Sequence, residues 1–353
     1  MGFRYFRRIR LFPGAYLNMG KTGTSLSLGP RGMKTTISPK GIRHSFGIPG
    51  TGWSYQTTLK KWNNKNQQPK NLGSNSQGEN QHQSIQNDYQ KLEFGFLKKL
   101  ICPKEEMALA KGVQACLLQD YPVAESYLKQ ALCYVDGAFT LGIVYLNQGR
   151  YADAEIQFAK AEQTPGLIGE FYRKYDLDMK IYLEISAYYT AEYEANAMAS
   201  YLSHAKAYQQ LNRHADACKL LLALYKVMPQ NLDVMIFLSE IALEKEPSNQ
   251  QWMNAIINMT KNLQNDSYAH AVLLMSKAEA FDNIGMTDAA ITTLTTVLSK
   301  KKDRSLDFLL EAQYQRGVLF LKAGKKAQSK KDLNAVFASN PRYANVNQLL
   351  TQM

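Results

Sequence analysis

The chain has 353 residues, 45% of them hydrophobic and 20% charged, a composition typical of folded proteins and not of disordered or fibrous ones. The formal net charge is +12, and the excess lies in residues 1–70, which carry 13 Lys or Arg and no Asp or Glu. No run is long enough for a membrane span or a signal peptide, and the four cysteines fit no zinc or disulfide pattern. We therefore expect a cytoplasmic protein without a metal or other cofactor.

Residues 1–60 predict a basic antiparallel β domain. Apolar and polar residues alternate through SLSLG, MKTTIS, IRHSFGI and WSYQTT, as in strands buried on one face. The intervening GPRG, SPKG and PGTG place Pro early and Gly late, which suits the two corners of a tight turn. A single sheet of this size leaves its apolar face uncovered, so we expect another surface to pack on it, and a second copy of the chain is one candidate.

The stretch GIPGTGWSY, Gly47 to Tyr55, is rich in glycine like a nucleotide-binding loop. A phosphate-binding loop or a dinucleotide fingerprint needs its glycines between a strand and a helix. Here Trp53, Ser54 and Tyr55 continue a strand, and no Lys-Ser or Lys-Thr follows the glycines. The stretch therefore predicts the third turn of the meander.

The basic residues of this domain predict an anion-binding surface. A sheet face that carries Ser, Thr, Lys and Arg offers many hydrogen-bond donors to phosphate oxygens, in contacts that position a polyanion without reading its sequence. The alternative is a merely soluble surface, but a stretch of 70 residues without an acid favours anion binding. The candidate residues are Arg7, Arg8, Arg10, Lys21, Arg31, Lys34, Lys40 and Arg43.

The motifs of residues 1–58 resemble a bacterial family of unknown function, domain family 4236. The chain opens with MGFR, continues through KTGTSLSLG and closes with IPGTGWSY, in the order in which the family carries these motifs. The resemblance implies a shared domain, but it implies no activity, because the family has none assigned.

Residues 61–100 predict a disordered linker. The segment from Trp62 to Gln90 is dominated by Asn and Gln and has almost no residue that a core could bury.

Residues 101–353 predict an array of helical hairpins. The clearest unit is GAFTLGIVYLNQGRYADAEIQFAKAEQTPG, residues 137–166, where small residues at Gly142 and Ala154 let two antiparallel helices approach closely. Gly149 marks the turn between the helices, and Tyr145 and Phe158 fill the space around them. These residues and their spacing resemble the tetratricopeptide repeat. The fold class we expect is mainly α, a tetratricopeptide-like α-solenoid preceded by the small antiparallel β-meander.

Other copies of the unit are weaker. Small and apolar residues recur at matching intervals around Gly112, Ala217, Ala278 and Gly317. Residues 170–198 fit the consensus poorly, and we expect an extra helical pair there. The C-terminal RYANVNQLLTQM predicts a final helix that covers the exposed end of the array.

Stacked hairpins of this kind form a concave groove lined by their first helices, and we expect a protein or peptide partner in it. For the aliphatic members of this set, the alternative is that they pack between repeats, as periodic apolar residues often do. By analogy to the repeat, the groove residues are Phe139, Ile143, Leu146, Asn147, Lys206, Gln209, Met275, Glu279, Asp282, Tyr314, Val318 and Lys322.

The sequence favours a non-enzymatic scaffold. His204, His214 and Cys218 are the residues most suggestive of a reactive site, but no acidic partner is spaced to complete one. The preferred function is an adaptor whose repeats hold a protein segment, with the β domain used for anchoring or self-association. The alternative is a nucleic-acid or anionic-lipid binding protein in which the β domain is the binding site and the repeats mediate assembly.

Overall fold

The computed structural model describes the backbone of six strands between residues 6 and 61, and residues 85–95 and 101–353 with their side chains. The six strands form one antiparallel meander in the order β1 to β6. Each strand pairs with the next along the chain, so the predicted β-meander is confirmed. The strands are β1 Phe6–Phe12, β2 Ala15–Gly20, β3 Gly23–Leu28, β4 Met33–Ser38, β5 Gly41–Gly47 and β6 Ser54–Lys61.

The register of the meander bears on the glycine-rich stretch. Gly47 at the end of β5 pairs with Ser54 at the start of β6, so the residues between them join two adjacent antiparallel strands. A phosphate-binding loop leads from a strand into a helix. Because GIPGTGWSY connects strand β5 to strand β6 and leads into no helix, it is not a nucleotide-binding loop of this kind.

The C-terminal part of the predicted linker contains a packed segment. Residues 85–91 form a helix, α1, and Asp88, Leu92 and Phe94 are buried. The Asp88 carboxylate accepts a hydrogen bond of 2.9 Å from the backbone N–H of Asp178, and the Phe94 ring stacks on Tyr175 at 5.3 Å. Residues 85–95 are thus not linker, because Leu92 and Phe94 give this segment apolar groups to bury. The remaining boundaries of the predicted 61–100 linker stay a prediction.

The contacts of the chain define two compact units. The first comprises Met1–Glu184 and Thr190–Leu211, and the second comprises Ile185–Tyr189 and Asn212–Met353. Within the first unit α2 packs on α3 and α4 packs on α5, and each pair is a helical hairpin. The helices that follow α1 in this unit are α2 Lys104–Leu117, α3 Tyr121–Leu128, α4 Val135–Asn147, α5 Tyr151–Ala161, α6 Glu170–Lys174 and α7 Ala197–Gln210.

Small residues set the spacing of these hairpins. A Cβ atom added to Gly142 would lie 2.7 Å from Cε1 of Phe158, and one added to Gly112 would lie 2.7 Å from the Leu128 side chain. Gly149 between α4 and α5 has a φ of +76°, a conformation that glycine adopts without steric cost. The predicted roles of Gly142 as a close-packing residue and Gly149 as a turn residue are confirmed.

Residues 170–198 do not form the helical pair that we expected. After the short helix α6, two strands pair into a hairpin, β7 Ile181–Ser186 and β8 Tyr189–Tyr193. Ile181, Leu183 and Ile185 are buried, and the residues between them are half-buried. An alternation of period two over six residues determines a strand here, although the flanking sequence is helical.

The second unit repeats the hairpin arrangement, since α9 packs on α10, α11 on α12 and α13 on α14. A Cβ atom on Gly317 would lie 2.9 Å from Leu333, the equivalent of the close approach at Gly142. The predicted tetratricopeptide-like fold class and the final helix are confirmed. The helices are α8 His214–Val227, α9 Leu232–Lys245, α10 Gln250–Met259, α11 Tyr268–Asn283, α12 Thr287–Leu298, α13 Leu306–Lys322, α14 Lys326–Ser339 and α15 Val346–Thr351. Among the described residues, no helix has the length and apolar character needed to cross a membrane.

Candidate functional site

Four of the predicted groove residues belong to the core. Phe139 is fully buried and its ring packs against Phe158 at 6.5 Å, and Ile143, Leu146 and Met275 are also buried. These side chains fill the space between helices, so they are inaccessible to a partner. Their assignment to the groove is wrong, and the alternative of core packing holds for all four.

The first helices of the three hairpins in the second unit carry a polar face. On each helix a subset of the accessible residues is spaced by three, four, seven, eight or eleven positions, which places these residues on one side. Six of them are carboxylates and one is an ammonium group. We name this set the first-helix face, and its members are Asp233, Glu240 and Glu244 on α9, Glu279 and Asp282 on α11, and Glu311, Tyr314, Val318 and Lys322 on α13.

Contacts between α11 and α13 join the residues of this face. Lys322 Nζ lies 2.6 Å from the Asp282 carboxylate and forms an ion pair with it. Glu279 has no ion pair or hydrogen bond among the described side chains, although it contacts solvent. Burial by the surrounding protein raises the pKa of Glu279, and the nearby charges of Glu311 and Asp282 raise it further. On α11 and α13 the carboxylates of Glu279, Asp282 and Glu311 therefore outnumber the one ammonium group of the face, Lys322.

The tip of the β7–β8 hairpin adds aromatic rings to the first-helix face. The Tyr188 ring packs edge-on against Phe308 at 5.7 Å, and the Tyr189 ring packs against Tyr268 at 6.4 Å. Tyr268 and Phe308 contact each other at 5.2 Å with nearly perpendicular planes. Edge-to-face arrangements of this kind fix the rings in place. Tyr188 and Tyr189 therefore stand beside the carboxylates as pre-positioned aromatic groups.

Hydroxyl groups of the tyrosines meet the carboxylates. Tyr343 donates a hydrogen bond to Glu311, and Tyr343 also contacts Tyr314 through its ring at 5.6 Å. Burial raises the pKa of Tyr188 to about 12, and the charge of Glu311 acts in the same direction. Burial and the charge of Asp233 likewise raise the pKa of Tyr189. These tyrosines stay protonated at neutral pH, and their hydroxyl groups hydrogen-bond to neighbouring side chains, Tyr343 to Glu311 and Tyr189 to Asp233.

The predicted groove residues of the first unit form no comparable surface. Asn147 is half-buried, and Lys206 is half-buried and donates a hydrogen bond of 3.0 Å to the Gln209 side chain. Of the predicted groove residues that are accessible, those on α11 and α13 therefore lie close together. Among the described residues, the accessible ones on α4 and α7 form no cluster of that size.

His204 is held in place by the side chains around it. His204 is buried, its Nδ1 lies 2.9 Å from the Glu162 carboxylate, and its ring stacks on Tyr208 at 4.4 Å. Ser200 donates a hydrogen bond of 2.9 Å to the same carboxylate, so Glu162 holds both groups in place. Within the residues the structure describes, no group of three His, Cys, Asp or Glu side chains is placed to hold a metal ion.

The register of the β-meander locates part of the predicted anion-binding set. Arg10, Thr36 and Arg43 occupy one row of paired residues across the strands. Lys34 pairs with Ser45 two residues along the strands from this row, so the two rows belong to the same set of alternating positions. Arg8 also belongs to this set, whereas Arg7 belongs to the opposite one. Lys21, Arg31 and Lys40 lie outside the described residues.

Sequence reasoning missed the residues that the hairpin contributes. Tyr188 and Tyr189 lie in a segment that we expected to be helical, and the signal that could have found them is the alternation in IYLEIS before the turn. Glu240 and Glu311 were also missed. Both occupy accessible positions of first helices, and extending the repeat period to α9 and α13 would have identified them.

Comparisons with known proteins agree with the two resemblances. Residues 3–56 match the family described as Protein of unknown function (DUF4236), and residues 311–342 match the tetratricopeptide repeat. No curated protein matches the chain.

Several solved structures are similar to the chain in part. The apo form of the quorum sensor NprR from B. thuringiensis is 14% identical, with a TM-score of 0.44, over 78% of this chain and 74% of that one. The N-terminal domain of the EccA1 ATPase from the ESX-1 secretion system of Mycobacterium tuberculosis is 13% identical, with a TM-score of 0.47, over 70% and 88%. The APC/C hetero-tetramer Cut9-Hcn1 is 15% identical, with a TM-score of 0.42, and the match spans 70% of this chain and 42% of that one.

Proposed function

We propose that the protein is a non-enzymatic scaffold that holds a Lys- or Arg-rich segment of a partner protein on the first-helix face. The observation that carries this proposal is the excess of carboxylates on α11 and α13, where Glu279, Asp282 and Glu311 accompany one lysine of the face, Lys322, which is already paired with Asp282. An excess of one charge on a surface attracts a partner of the opposite charge and excludes partners of the same charge.

The aromatic groups support the same partner class. Ammonium and guanidinium groups are attracted to the faces of tyrosine rings, and they form charge-assisted hydrogen bonds with carboxylates. Tyr188, Tyr189 and Tyr314 stand among the carboxylates and supply rings at positions fixed by packing. A cationic segment would therefore meet both kinds of group along one face, and preformed positions reduce the ordering cost of binding.

The test uses the full-length protein and synthetic peptides rich in Lys and Arg, with peptides rich in Asp and Glu as the reference. We expect the cationic peptides to bind more tightly, with an affinity that falls as salt rises. Glu279→Lys should weaken this binding about tenfold, equivalent to about 1.4 kcal/mol. Glu93→Lys changes the same charge at an exposed position of the first unit and should leave the affinity unchanged. Equal binding of the two peptide classes, or no effect of Glu279→Lys, would refute the proposal.

A second candidate function rests on the basic β domain. Residues 1–70 carry 13 cations and no acid, and the register aligns Arg10 with Arg43 across the strands. We propose that this domain docks on a polyanion and anchors the scaffold. Binding of the full-length protein to duplex DNA or to anionic vesicles should weaken steeply with salt, and Arg10→Gln with Arg43→Gln should reduce that slope. A flat salt response would remove this candidate.

A further inference from the structure

The second unit contains a cleft that the proposed function does not use. Its volume is about 560 Å³, and it is lined by α8, the C-terminal end of α9 and the N-terminal part of α10. Ile241 and Ala242 of α9 are buried in its lining, and Trp252 and Leu222 are half-buried. We name it the lysine-rimmed cleft. Its full lining is His214, Ala215, Cys218, Lys219, Leu222, Ala223, Lys226, Ile241, Ala242, Lys245, Glu246 and Trp252.

The cleft is long and narrow. Its residues on α8 recur every four positions from His214 to Lys226, and a rise of about 1.5 Å per residue gives this stripe a length of about 18 Å. A volume of about 560 Å³ divided by about 18 Å gives a mean cross-section of about 30 Å². The cleft is therefore several times longer than it is wide, which suits an elongated ligand.

The charges at the cleft are mostly positive. Lys219, Lys226 and Lys245 line it, and Glu246 is the one acid in the lining. Lys245 pairs with Glu244 at 2.6 Å, but Lys219 and Lys226 have no ion pair with any described residue. Two unpaired ammonium groups beside an apolar lining select a ligand that is both anionic and apolar.

The polar groups of the lining decide what kind of chain fits. An extended peptide brings N–H and C=O groups that each need a hydrogen-bond partner when they leave water. Apart from the lysines, the polar side-chain groups of the lining are those of His214, Cys218, Glu246 and the indole N–H of Trp252, and burial raises the pKa of the Cys218 thiol to about 11 and keeps it neutral. A hydrocarbon chain needs no such partner. The cleft volume also falls within the range of about 300–1,000 Å³ that is usual for small-molecule sites.

We propose that the lysine-rimmed cleft binds a long-chain carboxylate, with the hydrocarbon chain along Leu222, Ile241 and Trp252 and the carboxylate at Lys219 or Lys226. This site differs from the first-helix face, and the two adjoin at the end of α9, where Lys245 of the cleft pairs with Glu244 of the face. The ligand contacts α8 and the ends of α9 and α10, whereas the cationic segment contacts the accessible residues of α9, α11 and α13.

The test is a titration of the full-length protein with oleate below its aggregation concentration, followed by calorimetry and by the emission of Trp252. We expect saturable binding with one site, and the methyl ester of oleate should bind at least tenfold more weakly because it lacks the anionic group. Lys219→Gln with Lys226→Gln should weaken oleate binding at least tenfold. Lys330→Gln with Lys331→Gln removes the same charge from exposed positions on α14 and should have no effect.

A second variant tests the wall of the cleft. Ala223 is exposed and lines the cleft, so Ala223→Glu places a carboxylate there without disturbing the core. It should abolish oleate binding while the unfolding midpoint and the binding of cationic peptides stay unchanged. Lack of saturable binding by the wild type, equal affinity for oleate and its ester, or unaltered oleate binding by Ala223→Glu would overturn the proposal. Glu279→Lys should leave oleate binding intact, which separates this site from the first-helix face.

Discussion

Asp136 in the first unit and Glu279 in the second are carboxylates whose pKa is raised, but their surroundings differ. Burial raises the pKa of Asp136, and its two oxygens accept hydrogen bonds of 2.6 and 2.7 Å from the backbone N–H groups of Gly169 and Phe171. Glu279 contacts solvent and has no such donor, and it faces other carboxylates. The first arrangement stabilises a loop, whereas the second leaves negative charge available for a partner.

The same contrast holds for other acids of the two units. Glu106 in the first unit is buried, and although burial raises its pKa, hydrogen bonds from Lys174 and Tyr175 bring the pKa below its usual value. Asp282 in the second unit is half-buried and pairs with Lys322, whereas its neighbour Glu279 has no ion pair among the described residues. Asp136 and Glu106 are thus satisfied by groups of the protein itself. Substitutions at Asp136, Gly142 and Glu279 test this difference between the two units.

The largest effect is expected from Asp136→Ala. It removes the acceptor of two backbone N–H groups in a buried place, and each unsatisfied group costs about 1–3 kcal/mol. The free energy of unfolding, measured by urea denaturation, should fall by about 3 kcal/mol. Asp153→Ala on α5 removes an exposed acid that pairs with Arg150 and should cost less than about 1 kcal/mol. A loss no larger for Asp136→Ala than for Asp153→Ala would show that Asp136 does not stabilise the loop.

A structural feature could be predicted from the sequence when the pattern that indicates it lies within one short segment. The strands of the meander and the hairpin around Gly142 follow from alternation, turn residues and the small residues at fixed intervals, all of which lie within one segment. The β7–β8 hairpin was missed because its alternation covers only six residues in a helical context.

The accessibility of groove positions was harder to predict than the helices that carry them. Phe139 and Met275 occupy the same kind of position as Tyr314, yet they are buried and Tyr314 is not. The difference is set by the side chains that pack over each position, such as Phe158 of the next helix over Phe139, and the sequence pattern of one helix does not show them. The charges of Glu279 and Asp282 were a better guide, because an unpaired charge rarely enters a core.

The second-largest effect is expected from Gly142→Ala, at the point where two helices of the first unit approach closely. The matching substitution in the second unit is Gly317→Ala. In the first unit, the Cβ of Gly142→Ala would lie 2.7 Å from the ring of Phe158, which is fully buried and has no room to move. We expect a cost of about 1–3 kcal/mol from overpacking. Gly317→Ala in the second unit meets Cγ and Cδ2 of Leu333 at 2.9 Å, and it should cost less because the Leu333 side chain is also buried but can change rotamer, unlike a rigid ring. Gly166→Ala, with no atom within 4 Å, is the control for the change in backbone entropy. Equal costs at Gly142 and Gly317 would show that ring rigidity does not matter.

The smallest effect is expected from Glu279→Gln. The pKa of Glu279 is raised in the folded protein, so folding favours its neutral form, and the charged form opposes folding. The stability of the wild type should therefore fall as the pH rises from the usual pKa of a glutamate through the raised value, and Glu279→Gln should remove this fall. Because Glu279 contacts solvent, the gain in unfolding free energy at neutral pH should be only a few tenths of a kcal/mol. The measurement is urea denaturation at a series of pH values, with Glu93→Gln as the exposed control. A variant less stable than the wild type at neutral pH would mean that the charge of Glu279 is satisfied in the fold, and the first-helix face would then resemble the acids of the first unit.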